Sequence, residues 1–168
     1  AGEVPTAVPP VPMALDIAFE DEHLLVVNKS APLAVIPSSL VPGEPTLAAG
    51  LMAYLGPSAS LHPVNRLARA TTGLMVVAKS AYAHDQLCPL LLSGDFSRSY
   101  LALCVGAPAP PRGTISLPIG RAPGSAIRRQ VDPSGQRART DYRLLRVKNG
   151  LALVALTPWT GRTHQIRV

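Results

Sequence analysis

Two stretches of this 168-residue chain are dense enough in charged and hydroxyl side chains to do chemistry. The first runs from His62 through Asn65, Arg66, Leu67, Ala68, Arg69, Thr71, Thr72 and Gly73 into the apolar run Leu74-Met75-Val76-Val77-Ala78. The second is Thr157-Pro158-Trp159-Thr160-Gly161-Arg162-Thr163-His164-Gln165-Ile166-Arg167-Val168. Arg66, Arg69, Arg162 and Arg167, with Thr71, Thr72, Thr163 and His164, supply the donors of a phosphate-contacting surface, since a guanidinium fork pairs with two phosphate oxygens at once. The plainer reading is that the hydroxyls cap turns and that His164, taken alone, is a satisfied core histidine. Neither a Ser-His-Asp triad nor a dinucleotide-binding glycine loop is present. His23, His62, His84 and His164 stand without ligand spacing, so no metal is expected.

Both clusters lie at the ends of strands, where a rigid scaffold can hold a site. A first hairpin is expected from a short strand around Asp16 to Phe19, an acidic turn at Glu20-Asp21-Glu22 and the buried-strand run Leu24 to Val27. Ser30 to Pro45, with four prolines, reads as loop. Leu47, Leu51 and Leu55 share one face of a helix over Thr46–Leu55 that Gly56-Pro57 ends. Leu74 to Ala78 is a strand, and Ser80 suits the N-cap of a helix reaching about Leu92, which Pro89 should kink or shorten. Tyr100 to Val105 is a strand, and 106–137 is loop-rich with short strands near Ile115 and Ile119. Thr140 to Val147 should pair with Leu151 to Leu156, because Asn149-Gly150 suits the two positive-φ positions of a type I′ turn. Strands dominate without regular βαβ alternation. The fold class is therefore α+β, a mainly antiparallel mixed sheet with a few flanking helices.

Composition narrows the function further. Residues 1–84 carry four basic and six acidic residues, whereas residues 85–168 carry twelve and four. The C-terminal half is thus where a polyanion would sit, and Arg121, Arg128 and Arg129, in the loop-rich stretch, are placed nearest its backbone; a merely solvated basic face is the alternative. No apolar run approaches the roughly 20 residues that span a membrane, so a soluble chain with no membrane partner is expected. The proline-rich start, residues 1–13, reads as a linker or a surface arm and fits no signal peptide. Cys88 and Cys104, in apolar surroundings and without paired spacing, are expected to be reduced, buried thiols.

Arg66-Leu67-x-x-x-Thr71-Thr72-Gly73, Ser99-Tyr100-Leu101-Ala102 and Thr160-Gly161-Arg162-Thr163-His164-Gln165-Ile166-Arg167 resemble, in order and approximate spacing, three motifs of the RluA family of RNA pseudouridine synthases. Phe19 to Lys29 is similar to that family's first hairpin, so the resemblance runs from about Leu15 to the last residue. It implies the pseudouridine synthase catalytic fold over residues 14–168. It also implies a cofactor-free isomerase that flips a uridine out of structured ribosomal or transfer RNA, detaches the base, rotates it and rejoins it through C5. Arg66 matches the arginine that enters the space left by the flipped base, Tyr100 the tyrosine that stacks on the uracil, and Arg162 the arginine that pairs with the catalytic aspartate. Arg69, Thr71, Thr72, Arg121, Arg128, Arg129 and His164 complete the expected RNA contacts. A cytoplasmic monomer is expected.

The position of the nucleophilic aspartate is Ala68. A methyl group cannot attack carbon or accept a proton, and losing a nucleophile costs roughly 10⁴ to 10⁶ in rate by the example of a hydrolase. The nearest carboxylates in sequence are Glu44 and Asp85. The chain is therefore expected to be an inactive synthase, through either a deliberate substitution or natural loss. The rival reading is a non-catalytic RNA-binding or ribosome-assembly pseudoenzyme. Ser30, Asn65 and Pro89 are further departures from the family pattern. Family members also continue past the residues matching Ile166-Arg167-Val168, so a missing C-terminal part is expected.

Overall fold

Side chains of a strand point alternately to its two faces, so the apolar runs Leu24–Val27 and Leu74–Ala78 each send residues into a core. A computed structural model of the protein describes residues 8–38, 42–56 and 58–168. The fold is α+β, with mixed antiparallel sheets and, among the described residues, two helices, and the chain divides into two compact units, one ending at Leu90 and the other beginning at Leu91.

The N-terminal unit holds β1 (Ile17–Glu20), β2 (Leu24–Lys29), the helix α1 (Leu47–Leu55), β3 (His62–Pro63) and β4 (Gly73–Ala78). The strands form one antiparallel sheet in the order β1-β2-β4-β3. Leu25 faces Val77 and Val27 faces Met75 across the β2–β4 pair, and all four are at most 1% exposed. The Thr46 hydroxyl accepts from the Ala49 amide at 3.2 Å, capping α1, and Leu47 and Leu51 turn into the same core. Gly56, at φ 93°, ends the helix as expected; Pro57 lies outside the described residues, as do residues 1–7 of the arm and 39–41 of the proline-rich loop. The described part of the arm meets α1, with the Val11 amide on the Ala49 carbonyl at 3.0 Å. An added Cβ at Gly50 would lie 2.6 Å from Met13, so glycine is what lets that side chain approach.

Helix α2 (Ala81–Ser93) begins at Ser80, whose hydroxyl accepts from the Ala83 amide at 3.1 Å. Pro89 does not shorten it: the helix runs on to Ser93, although a proline supplies no amide donor.

The C-terminal unit contains β5 (Tyr100–Val105), β6 (Arg112–Ile115), β7 (Ile119–Arg121), β8 (Arg129–Val131), β9 (Thr140–Lys148) and β10 (Leu151–Pro158). One antiparallel sheet has the order β5-β10-β9-β6, and β7 and β8 make a separate two-stranded ribbon. The β9–β10 hairpin turns at Asn149 and Gly150, with φ of 51° and 75°, as the dipeptide predicts. β8 was not legible as a strand, and it moves Arg129 out of a loop and into register with Arg121. The cysteine expectation needs correction. Both thiols are free, but Cys104 is exposed, because it lies on the edge strand β5, which has no fully buried residue, and Cys88, on the helix α2, is only partly buried. Among the described residues, no helix is long and apolar enough to cross a membrane.

Candidate functional site

The loop between β3 and β4 carries the first cluster, and three buried groups hold it. Val64 donates its amide to the Val76 carbonyl at 2.9 Å. Asn65, 7% exposed, accepts from the Val76 amide at 2.8 Å and donates to the Leu74 carbonyl at 3.4 Å, so its side chain continues the ladder that the backbone leaves. Leu67, 8% exposed, anchors the next turn. Between these anchors Arg66 is exposed, Ala68 half-buried and Thr72 exposed; the Thr71 amide closes the turn on the Ala68 carbonyl at 2.9 Å. The hydroxyls of Thr71 and Thr72 cap nothing among the described residues.

Lys29 supports this loop from beneath. It ends β2 on the buried face opposite Gly73, and only 1% of it is exposed. Its ammonium donates to the carbonyls of Ser30 and Leu33, each at 2.8 Å, and of Arg69 at 3.3 Å. Burial lowers its pKa, and three carbonyls stand in for the water it has lost. The Leu33 amide adds a 3.0 Å bond to the same Arg69 carbonyl.

Arg69 itself is not free to meet a phosphate. Its Nε and Nη2 pair with the two oxygens of Glu44 at 3.0 and 2.9 Å, a bidentate bridge between half-exposed side chains. Such a pair is worth about 0 to 1 kcal/mol, so a phosphate could displace it. The partner lies 25 residues away, and nothing local in the sequence signals it.

In the C-terminal unit, β10 delivers the second cluster into a tight turn. Gln165 clasps it. Its Oε1 accepts from the Thr160 hydroxyl at 2.8 Å and the Arg162 amide at 2.9 Å, while its Nε2 donates to the Arg139 carbonyl at 3.1 Å and the Thr140 hydroxyl at 2.9 Å. Sequence reasoning quoted this residue within the motif and gave it no role; the available signal was an amide, able to donate and accept at once, inside a segment of charges and hydroxyls. Arg162 donates through Nε to the Arg137 carbonyl at 2.9 Å, which fixes its stem. Replacing Gln165 by leucine, of similar size, strands four polar partners and should lower unfolding free energy by about 2 kcal/mol or more in urea titration. A loss under about 0.5 kcal/mol, the level of an ordinary surface substitution, would show that the clasp holds nothing.

His164 has a left-handed φ of 59° and is half-buried. Burial, then the charges of Arg167 and Arg129, push its pKa down, against a hydrogen bond to the Ile127 backbone. It is therefore a neutral imidazole at pH 7, and it lies beside the β7–β8 ribbon. That ribbon sets Arg121 directly opposite Arg129, with Arg128 exposed in the adjoining turn. None of the three has an acidic partner among the described residues. Gly135 seats the ribbon, because a Cβ there would fall 2.4 Å from the Ile119 carbonyl carbon. Tyr100 opens β5 opposite Leu156 and is half-buried; burial raises its hydroxyl pKa, with the Arg98 charge opposing, so it stays protonated at neutral pH. No group of acidic, histidine or cysteine side chains suited to a metal occurs among the described residues.

The comparisons with known proteins agree on one direction. Residues 23–168 match the family model described as RNA pseudouridylate synthase. The chain is 42% identical over 160 residues to YjbO, an uncharacterized RNA pseudouridine synthase of Bacillus subtilis (strain 168), covering 94% of this chain and 56% of the relative. It is 38% identical over 162 residues to the ribosomal large subunit pseudouridine synthase D of Escherichia coli O6:H1, covering 95% and 49%. The solved structure of Human RNA Pseudouridylate Synthase Domain Containing 1 superposes with a TM-score of 0.74 at 26% identity, over 96% of this chain and 66% of that one. The chain spans about half the length of the curated relatives it matches.

Proposed function

The chain belongs to the RNA pseudouridylate synthase family, and from that premise we propose that it binds structured ribosomal or transfer RNA and flips a uridine, with its own isomerisation blocked at Ala68. The observation that carries this reading is the Thr160–Arg167 segment: a motif that resembles the family's is held by the four bonds of Gln165, a cost in ordering that an idle tail would not need. In this reading residues 14–168 act as a catalytic domain, monomeric and cytoplasmic, without metal or organic cofactor. Arg66 enters the gap left by the flipped base, Tyr100 stacks on the uracil, and Arg162 serves the position where the family has its aspartate.

Base extrusion costs a few kcal/mol of unstacking, which an inserted arginine and an aromatic face partly offset. The intact turn at 66–73 supports a site in which one atom group, the carboxylate, is lacking. A non-catalytic RNA-binding role in ribosome assembly fits the same surfaces and differs in the fate of an Ala68→Asp chain, which would then remain inert.

Tyr100 separates a uridine wall from a packing residue. Tyr100→Phe keeps the ring and should retain RNA affinity; Tyr100→Ala should lose about 1 to 3 kcal/mol of binding to RNA with an extruded base. Affinity and melting temperature are compared in one buffer. If alanine lowers the melting temperature and leaves the affinity of the folded protein unchanged, Tyr100 only packs, and its assignment to the base fails.

A further inference from the structure

Trp159 is the sole tryptophan of the sequence, and it is 53% exposed. Its Nε1–H is already engaged, donating to Asp141 Oδ2 at 2.7 Å, while Asp141 Oδ1 accepts from the Thr114 hydroxyl at 2.6 Å. These two bonds hold the Asp141 carboxyl below the usual carboxylate range, so it is ionised at neutral pH. The Arg139 guanidinium carbon lies 5.1 Å from the ring centroid, inside cation–π range, and its Nε is 3.7 Å from Asp141. The Trp159 amide is bonded to the Arg139 carbonyl at 2.9 Å. Gly94, at φ 89°, comes close enough that a Cβ there would touch the ring edge at 3.7 Å. The ring is thus fixed by its edge and by one cation, with about half of its surface still open.

From this arrangement we infer that Trp159 and Arg139 form a stacking platform for an unpaired RNA base, a second aromatic position besides Tyr100. The inference rests on the RNA-binding reading above and adds to it a site for a neighbouring nucleotide. Three features favour a nucleic acid base over an apolar protein segment. The ring is rimmed by cations, with exposed Arg137 and Arg139 on one side of the turn and Arg162 three residues beyond the ring. The surrounding half of the chain is strongly basic. A flat, pre-fixed ring with its polar atom already satisfied also stacks on any base without needing to read it.

The test uses the chain with Ala68 in place. A fluorescein-labelled RNA stem–loop with unpaired nucleotides and a fully paired duplex of equal length are titrated by anisotropy, and the emission of the sole tryptophan is followed with unlabelled RNA. Trp159→Ala should weaken stem–loop binding about 5- to 150-fold and leave duplex binding unchanged. Trp159→Phe should stay within about threefold, and stem–loop binding should quench the tryptophan of the unmodified chain with the same midpoint as anisotropy. Stem–loop binding with unchanged emission, or an equal loss on both RNAs in Trp159→Ala, overturns the platform while the RNA-binding reading stands. A change in sedimentation of the RNA-free protein on Trp159→Ala also overturns it, since the ring would then cover another copy. Absence of any RNA binding at low salt overturns both. If the alanine variant does not fold, the quenching and the phenylalanine variant decide.

Discussion

Replacing Arg121, Arg128 and Arg129 together by alanine is expected to flatten the salt dependence of RNA binding by about 2 to 3 in the slope of log K against log salt, and to weaken binding roughly tenfold or more near physiological salt. Each neutralised phosphate releases counterions, and each contributes about 0.7 to 0.9 to that slope. The ribbon makes the prediction sharper than composition does. Arg121 and Arg129 are register partners across β7 and β8, and like charges directly opposed on a two-stranded ribbon oppose pairing. No carboxylate relieves them among the described residues, while Gly135 fixes the ribbon's base. A pair that disfavours the free fold makes sense where an anion occupies it. The triple variant should therefore melt no lower than the parent, which separates lost binding from lost folding. An unchanged slope would remove the ribbon from the RNA face.

What the sequence revealed of this fold, and what it hid, follow from the range of the interactions. Thr46, Ser80 and Asn149-Gly150 act within a few residues of themselves, and their caps and turn were legible. The short apolar runs Leu24–Val27 and Leu74–Ala78 likewise mark buried strands. β8 was not legible, because Arg129-Gln130-Val131 has little apolar alternation and exists through pairing with Ile119–Arg121. Cys104 read as buried because its neighbours are apolar, yet whether an apolar strand is covered depends on its place in the sheet, and β5 is at the edge.

The candidate site divides in the same way. Motifs placed Arg66, Tyr100, Arg162 and His164 as residues of interest, but several of the bonds that hold the two loops reach across the chain. Lys29 reaches the Arg69 carbonyl across 40 residues, and Gln165 reaches Thr140 across 25. Glu44 on Arg69 is the clearest case: sequence counted it only as a distant carboxylate, whereas it occupies the fork expected to meet phosphate. Asn65 looked like a departure from the family pattern, and its amide turns out to bond both ways with β4.

The larger expected effect is at position 68. Ala68→Asp changes one half-buried side chain on a turn already closed by Thr71 and anchored by Leu67. The loss or return of a nucleophile is worth several orders of magnitude, roughly 10⁴ to 10⁶ by the example of a hydrolase. RNA affinity, in contrast, should change little, since an alanine methyl contributes little to binding a polyanion. The measurement is the pseudouridine content of ribosomal and transfer RNA, made without pseudouridine, after incubation with the Ala68 chain and with its Ala68→Asp counterpart, each extended at its C-terminus by the segment that continues a family relative, at equal RNA occupancy. Pseudouridine from the aspartate chain and none above background from the alanine chain is the expected result; pseudouridine formed equally by both would contradict the assignment of catalysis to this position.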